Sequence, residues 1–230
     1  MQAVILAGGL GTRLRPITHK IPKHLVAVGS KPFLEHLIAM LKKRGINEIV
    51  LCVGHLWQQI KDYFGDGKKF GITIKYSIEK KLMGTGGAIK KAEKYLKENF
   101  FVVYGDSFLE LDYGKLMRFH QKMNKIGTLV VYGNKNQTLV KNNIELSKNN
   151  YVADYNKNMQ SKKMDYVDAG VLVFKKSVLK MIPPNMNISL EEEIFPKLIK
   201  RREFVAFKSD KRFYDIGTMQ RLKIFRKVFE

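Results

Sequence analysis

The apolar run Ala3-Val4-Ile5-Leu6-Ala7 is one strand long and stops abruptly at Gly8-Gly9-Leu10-Gly11-Thr12-Arg13-Leu14-Arg15-Pro16. This stop constrains the fold more than any other stretch. A buried strand that opens into three glycines within four residues places bare backbone at a strand end, where no Cβ blocks a ligand. Amide N–H groups in such a turn form a concave anion site. Arg13 adds a forked grip on phosphate, and Lys23, one loop further on, adds a point charge. The stretch reads as a triphosphate cradle of a nucleotide-using enzyme.

Other glycine loops fit less well. A P-loop needs Lys-Ser/Thr after its last glycine, and here Gly11 is followed by Thr12-Arg13. A dinucleotide fingerprint would need a glycine at Leu14 and an acidic residue ending the next strand near Val53. A plain glycine turn is the remaining alternative, and Arg13 with Pro22-Lys23 argues against it.

The chain of 230 residues is long enough for one large α/β unit. A single cysteine, Cys52, excludes an intrachain disulfide framework and suits a reducing compartment. It lies in the apolar run Ile49–Val53, which points to buried filler. No signal peptide and no apolar run near the ~20 residues of a membrane span is visible, so a soluble cytoplasmic protein without a membrane partner is expected. The formal net charge is +21. Nucleic-acid binding is one reading of that charge. The lysines, however, are spread along the chain, as in Lys90-Lys91-Ala92-Glu93-Lys94, which favours a solvated basic surface. Such a field draws in polyanionic substrates.

Periodicity predicts strands at 2–7, 48–53, 70–77, 100–104, 128–132, 166–175 and 204–207. Helices are expected at 31–44 with Gly45 as the stop, at 55–64, from Gly84 to about Lys97, at 112–123, from the capping box at Ser189 to about Lys200, and after Thr218. Alternating strands and helices give an α/β, Rossmann-like, mostly parallel sheet with helices on both faces. The polar, asparagine-rich stretch 134–158 breaks that pattern and reads as a hairpin or lid-like excursion. Asp106 ends a central strand, where open α/β sheets bind ligands, and a carboxylate there suits Mg²⁺.

Leu6-Ala-Gly-Gly-Leu-Gly-Thr-Arg-Leu-Arg-Pro16 followed by Pro22-Lys23-His24-Leu25 resembles the signature of the sugar-1-phosphate nucleotidyltransferases. Matches at Gly84-Thr-Gly-Gly-Ala88, Gly105-Asp106, Asp168-Ala169-Gly170 and Asp215-Ile-Gly-Thr218 extend the resemblance over nearly the whole chain. The resemblance implies a single nucleotidyltransferase domain over 1–230. Its nucleotide-binding half covers about 1–130, and a sugar-phosphate half with a smaller C-terminal β excursion covers about 131–230. It implies that Leu6, Ala7, Gly8, Gly9, Gly11, Thr12, Arg13, Lys23, Glu79, Gly84, Gly86, Gly87 and Asp106 contact the nucleotide, with Arg13 and Lys23 catalytic. It further implies that Asn156, Lys157, Asp168, Gly170 and Glu191 hold the sugar phosphate, and that Asp106 and Asp215 hold Mg²⁺. For Glu191 to Glu193 the residues themselves suggest stabilisation of a helix start.

The reaction implied is NTP plus sugar 1-phosphate giving NDP-sugar and pyrophosphate, leaning to GTP and a mannose- or heptose-type acceptor, with surface-glycan precursors as the product class. The family is often dimeric, so a homodimer is among the expected assemblies. Asn156 and Asp168 stand where the family often has Glu and Asn, which bears on the sugar's identity. Three alternatives stay open. One is a CTP- or UTP-dependent transferase, acting on another sugar 1-phosphate or on phosphocholine held by an aromatic box from Trp57, Tyr151, Tyr155 and Tyr166. The others are a catalytically silent regulatory subunit and a basic nucleic-acid-binding module.

Overall fold

The computed structural model describes residues 1–134, 138–156 and 164–229. A seven-stranded sheet organises them: β1 (Gln2–Ala7), β2 (Glu48–Val53), β3 (Thr73–Ile78), β4 (Asn99–Tyr104), β5 (Gly127–Tyr132), β6 (Val167–Lys175) and β7 (Phe204–Ser209). Their spatial order is β7-β5-β6-β4-β1-β2-β3. β1 pairs in parallel with both β2 and β4, β2 with β3, and β5 with β7; β6 runs antiparallel between β4 and β5. Strands from both sides of residue 130 therefore share one sheet.

Among the described residues six α-helices cover it: α1 (Phe33–Lys43), α2 (Trp57–Phe64), α3 (Gly84–Lys91), α4 (Tyr113–Met123), α5 (Phe195–Lys200) and α6 (Met219–Phe229). The strand residues alternate between two cores. Ala3, Ile5 and Ala7 pack with Phe33, Leu37, Tyr113 and Phe225 from α1, α4 and α6, whereas Val4 packs with Ala88, Ile89, Phe195 and Leu198 from α3 and α5. A strand buried on both faces has no polar side to show, which is why Ile49 to Val53 is apolar without interruption.

Local signals decide where elements end. α1 stops in the arrangement that Gly45 predicts: at φ +81°, Gly45 donates to Lys42 O at 2.9 Å and Ile46 to Leu41 O at 3.0 Å. α4 is capped by Asp112, which accepts from Lys115 N at 2.7 Å. Two boundaries differ from the periodicity by three residues or more. α3 ends at Lys91, not near Lys97, because the buried Gln2 amide takes over the backbone there, donating to Tyr95 O at 3.0 Å and accepting from Lys97 N at 2.8 Å. β3 begins at Thr73 because Gly67 and Gly71, both at positive φ, bracket a short turn over Lys68–Phe70. The capping box is also displaced. Ser189 accepts from Glu192 N at 3.1 Å, but the side chain that reaches back to Ser189 N, at 3.0 Å, is Glu193. The first turn, Leu190–Ile194, is a π-turn, which brings the residue one further on under the cap.

His120 on α4 is fully buried, with Nδ1 2.8 Å from Thr128 Oγ1. Burial first, then the charge of Lys175, pulls its pKa from 6.5 down to about 4. Between those values the unfolded chain binds a proton that the folded chain excludes, so stability is lost as pH falls through that window. The loss is roughly 2–3 kcal/mol between pH 7 and pH 4.5. His120→Asn, which keeps a partner for Thr128, is expected to remove that share of the acid sensitivity. Urea midpoints of the two proteins at both pH values check it, and an equal acid loss in the variant refutes it.

Candidate active site

The chain leaves β1 toward β2 and β3 on one side and returns through β4 on the other. The strand order thus reverses between β1 and β4, and the crevice at their carboxyl ends is where open α/β sheets take ligands. The glycine loop after β1 and Asp106 after β4 meet there. Gly105 permits it: its N–H donates to Leu6 O at 2.9 Å, and a Cβ would stand 2.5 Å from that oxygen and 2.9 Å from His24 Cδ2.

The loop is built to leave donors unused. Gly11 adopts φ +64°, and a Cβ on it would press within 3.1 Å of both Lys23 Cβ and Thr18 Cγ2. Thr18 Oγ1 fixes the turn by donating to Gly11 O at 2.8 Å. The amides of Gly9, Leu10 and Gly11 donate to no acceptor among the described residues. Glu79 closes the far side. Its Oε2 accepts from Met83 N at 3.2 Å, and its Oε1 lies so near Gly8 that a Cβ there would be 2.6 Å away. Burial raises the Glu79 carboxyl above its ordinary value, against the pull of Met83 N–H and Lys91.

Lys23 is buried and forms an ion pair with Asp106. Burial opposes the charge on Asp106, but Lys23, with His24 and Arg13 behind it, more than offsets this and holds the carboxyl below the usual range. His24 is buried beside the pair. Desolvation first and Lys23 second pull it to about 4, so the ring is neutral near pH 7. Arg13 is exposed and has no hydrogen-bond or ion-pair partner among the described residues.

Two cavities open from this centre. The first, about 420 Å³, is lined by Leu6, Gly8, Gly9, Gly11, Thr12, Arg13, Lys23, Glu79, Gly84 and Asp106 among others. The second, about 470 Å³, is lined by Asp168, Gly170, Glu191, Asp215, Asn143, Tyr155 and Arg221, together with Arg13 and Asp106. Arg13, Thr85, Tyr104 and Asp106 border both. The folding brings Asp106 and Asp215 to one place although they are far apart in sequence: Asp215 pairs with Ser107 across a two-residue ladder, and Ile216 N donates to Asp106 O at 3.0 Å.

Four expected residues line neither cavity. Ala7 is buried in the core at the end of β1. Gly86 and Gly87 line neither cavity. Their amides donate to Ile188 O at 2.8 and 3.2 Å, and a Cβ on Gly87 would lie 2.4 Å from Met186 O, so they serve close backbone packing of α3. Asn156 does not line a cavity, but its N–H donates to Asn143 O at 2.9 Å and so supports a residue that does. Lys157 lies outside the described residues. Glu191 is buried and accepts from Thr85 Oγ1 and Ser189 Oγ, each at 2.8 Å, and from the Tyr104 hydroxyl. Asp168 accepts from Gly170 N at 2.8 Å and from Tyr155 OH at 3.2 Å, at an irregularity in β6 where Gly170 takes φ +75°.

The four aromatics do not form a box. Lys61 lies over Trp57, Lys125 and Arg202 over Tyr151, and Lys208 over Tyr166; only Tyr155 lines the second cavity. Tyr104, Thr85 and Arg221 were not anticipated. Tyr104 carries a weak sequence signal, since it directly precedes Gly105-Asp106. Arg221 follows the Asp215–Thr218 turn by less than one helical turn.

Mg²⁺ takes oxygen ligands and usually keeps only one or two protein carboxylates beside substrate phosphates. Asp106 and Asp215, brought together at the end of that ladder and both lining the second cavity, fit that donor set. No group of three or more His, Cys, Asp or Glu residues poised for a metal exists among the described residues. No helix among them is long and apolar enough to cross a membrane.

A glycine loop whose amides donate to no described residue, a lysine–aspartate pair and a second cavity across a shared wall thus meet in one place. The chain belongs to the nucleotidyl transferase family, which it matches over residues 2–227. It is 36% identical to the D-glycero-alpha-D-manno-heptose 1-phosphate guanylyltransferase of Campylobacter jejuni, over 94% of this chain and 95% of that protein. It is 30% identical to the UTP–glucose-1-phosphate uridylyltransferase of Synechocystis, over 94% of this chain and 60% of that one. The crystal structure of HddC from Yersinia pseudotuberculosis complexed with GMP-PN superposes with a TM-score of 0.83 at 27% identity, covering 100% of this chain and 99% of that one.

If Lys23 is what keeps Asp106 ionised, Lys23→Met leaves burial opposed only by the weaker pull of His24 and Arg13. The Asp106 carboxyl is then expected to titrate above 3.8 instead of below it. Carboxyl ¹³C NMR reads this directly, and an unmoved titration assigns the low value to something other than Lys23.

Proposed function

We propose that this transferase moves a guanylyl group from GTP to a heptose- or mannose-type sugar 1-phosphate, releasing pyrophosphate. The observation that carries the reading is the wall shared by the two cavities, with Lys23 beside it: a nucleotide in the first places its α-phosphate next to a phosphate in the second. The relatives named above that carry guanylyltransferase or GMP-PN in their descriptions cover nearly their full length with this chain, which favours GTP. The uridylyltransferase relative keeps UTP as the second reading.

An oxygen of the sugar phosphate forms a bond to the α-phosphorus, and the bond from that phosphorus to the bridging oxygen breaks, so that pyrophosphate leaves with the electron pair. Both reactants are anions. The protein's contribution is alignment and neutralisation. The Gly9 and Gly11 amides with Arg13 hold the β- and γ-phosphates, and Lys23 stabilises charge at the α-phosphate. Gly84 and Glu79 border the base and ribose. Asp168 and Glu191 meet sugar hydroxyls, and their oxygens are oriented in advance by Gly170, Thr85, Ser189 and Tyr104. No proton acceptor is needed, because a phosphate monoester is largely ionised at neutral pH. Asp106 and Asp215 would hold Mg²⁺, which supplies further neutralisation of the phosphates when bound. Its single, buried cysteine and nucleotide chemistry fit the cytoplasm.

Pyrophosphate release with Mg²⁺, screened over five NTPs against sugar 1-phosphates and phosphocholine, is the test. GTP with a manno-configured acceptor is expected to lead. No turnover and no NTP binding would sink the reading. With the best pair, Lys23→Ala and Asp106→Asn are each expected to lower turnover by about 10²–10³ while the protein stays folded, and Asp106→Asn to weaken the Mg²⁺ dependence as well. Near-normal turnover in both refutes the assignment.

A further inference from the structure

Arg221 stands on the first turn of α6 and lines the second cavity. Its Nη1 donates to Asp215 Oδ2 at 2.9 Å and its Nε to Thr218 Oγ1 at 3.3 Å. Gly217 N donates to the other oxygen, Asp215 Oδ1, at 2.7 Å. The turn Asp215-Ile216-Gly217-Thr218 is thus wrapped around the guanidinium, so tightly that a Cβ on Gly217 would lie 2.8 Å from Nη2. A guanidinium has five N–H groups. Two are used here, and the other three find no acceptor among the described residues, on a side chain that is 14% exposed.

The two carboxylates at the centre therefore each carry a cation. Asp106 has Lys23, which lines the first cavity, and Asp215 has Arg221, which lines the second. A cation already on a carboxylate competes with a metal for it. A planar fork with three spare donors is also the group best matched to a phosphate.

We propose that Arg221 is the acceptor-side phosphate-binding residue: it neutralises Asp215 while the cavities are empty and passes its guanidinium to the acceptor phosphate when a divalent cation takes the carboxylate. The proposal rests on reading the second cavity as the acceptor site. It makes metal binding and acceptor binding mutually supportive, since each removes the other's competitor.

The test uses the full chain. Mn²⁺ alone is titrated into substrate-free protein and followed by electron paramagnetic resonance, for wild type, Arg221→Met and Arg221→Lys. KM values for GTP and for the sugar 1-phosphate are measured alongside. Arg221→Met is expected to bind Mn²⁺ about tenfold more tightly and to raise the acceptor KM about tenfold or more, with the GTP KM within about twofold. Arg221→Lys keeps the charge without the fork, so its Mn²⁺ affinity stays near wild type while its acceptor KM rises at least about threefold. Unchanged or weaker Mn²⁺ binding in folded Arg221→Met overturns the proposal. So does a KM change shared equally by both substrates. If Arg221→Met does not fold, an unchanged acceptor KM in Arg221→Lys overturns it. A wild type silent with every acceptor counts against the reading of the second cavity, and the Mn²⁺ comparison still decides whether Arg221 and a metal compete for Asp215.

Discussion

The ion pair between Lys23 and Asp106 is the contact on which the rest depends. It ties the loop after β1 to the end of β4, across the place where the sheet reverses its strand order. A buried lysine or a buried aspartate alone would be driven toward its neutral form. Lys23 holds the Asp106 carboxyl in its ionised form, and both lie beside His24. Burial first and Lys23 second keep His24 neutral, and the glycine amides face a cavity whose walls carry both signs. Removing one partner leaves the other charge without its counter-ion, at a cost that the 28% exposure of the Asp106 side chain limits. The site is therefore also part of what holds two loops in place.

The same arrangement explains how so basic a chain can carry carboxylates at its centre. With a net charge of +21, long-range attraction for polyanions is general over the surface. Selectivity has to come from the inside, where both oxygens of three carboxylates already have donors: Asp215 from Gly217 and Arg221, Asp168 from Gly170 and Tyr155, Glu191 from Thr85, Ser189 and Tyr104. Oriented acceptors of this kind meet hydroxyl groups without first rearranging, and they reject ligands that cannot supply the matching donors.

Much of this was legible in the sequence, because the features concerned are local. The cradle is a strand followed by glycines, the stop of α1 is Gly45, and the start of α4 is Asp112. The parallel sheet follows from strand and helix alternation. What stayed hidden depends on long-range contacts. The end of α3 is decided by Gln2, some ninety residues away, and no window of sequence contains both. Gly86 and Gly87 look like ligand-facing glycines, but they yield space to the backbone of residues 186–188. The meeting of Asp106 with Asp215 was available only through the family resemblance, and Arg221 had no motif of its own.

β6 is the one strand of the main sheet that runs against its neighbours. Its first residues therefore lie at the same edge of the sheet as the last residues of β4 and β5. The chain between Tyr132 and Val167 leaves and re-enters at that edge, beside the second cavity, without having to cross the sheet. Connections of this kind lengthen or shorten cheaply, at about 0.6 kcal/mol for each doubling in length. The parallel strands, by contrast, depend on helical crossovers that must span the sheet and cannot change freely. The connection into the one reversed strand is thus open to remodelling by insertion, while the parallel strands on either side of it keep their geometry. A lineage can rebuild that one connection many times while the rest of the sheet stays as it is.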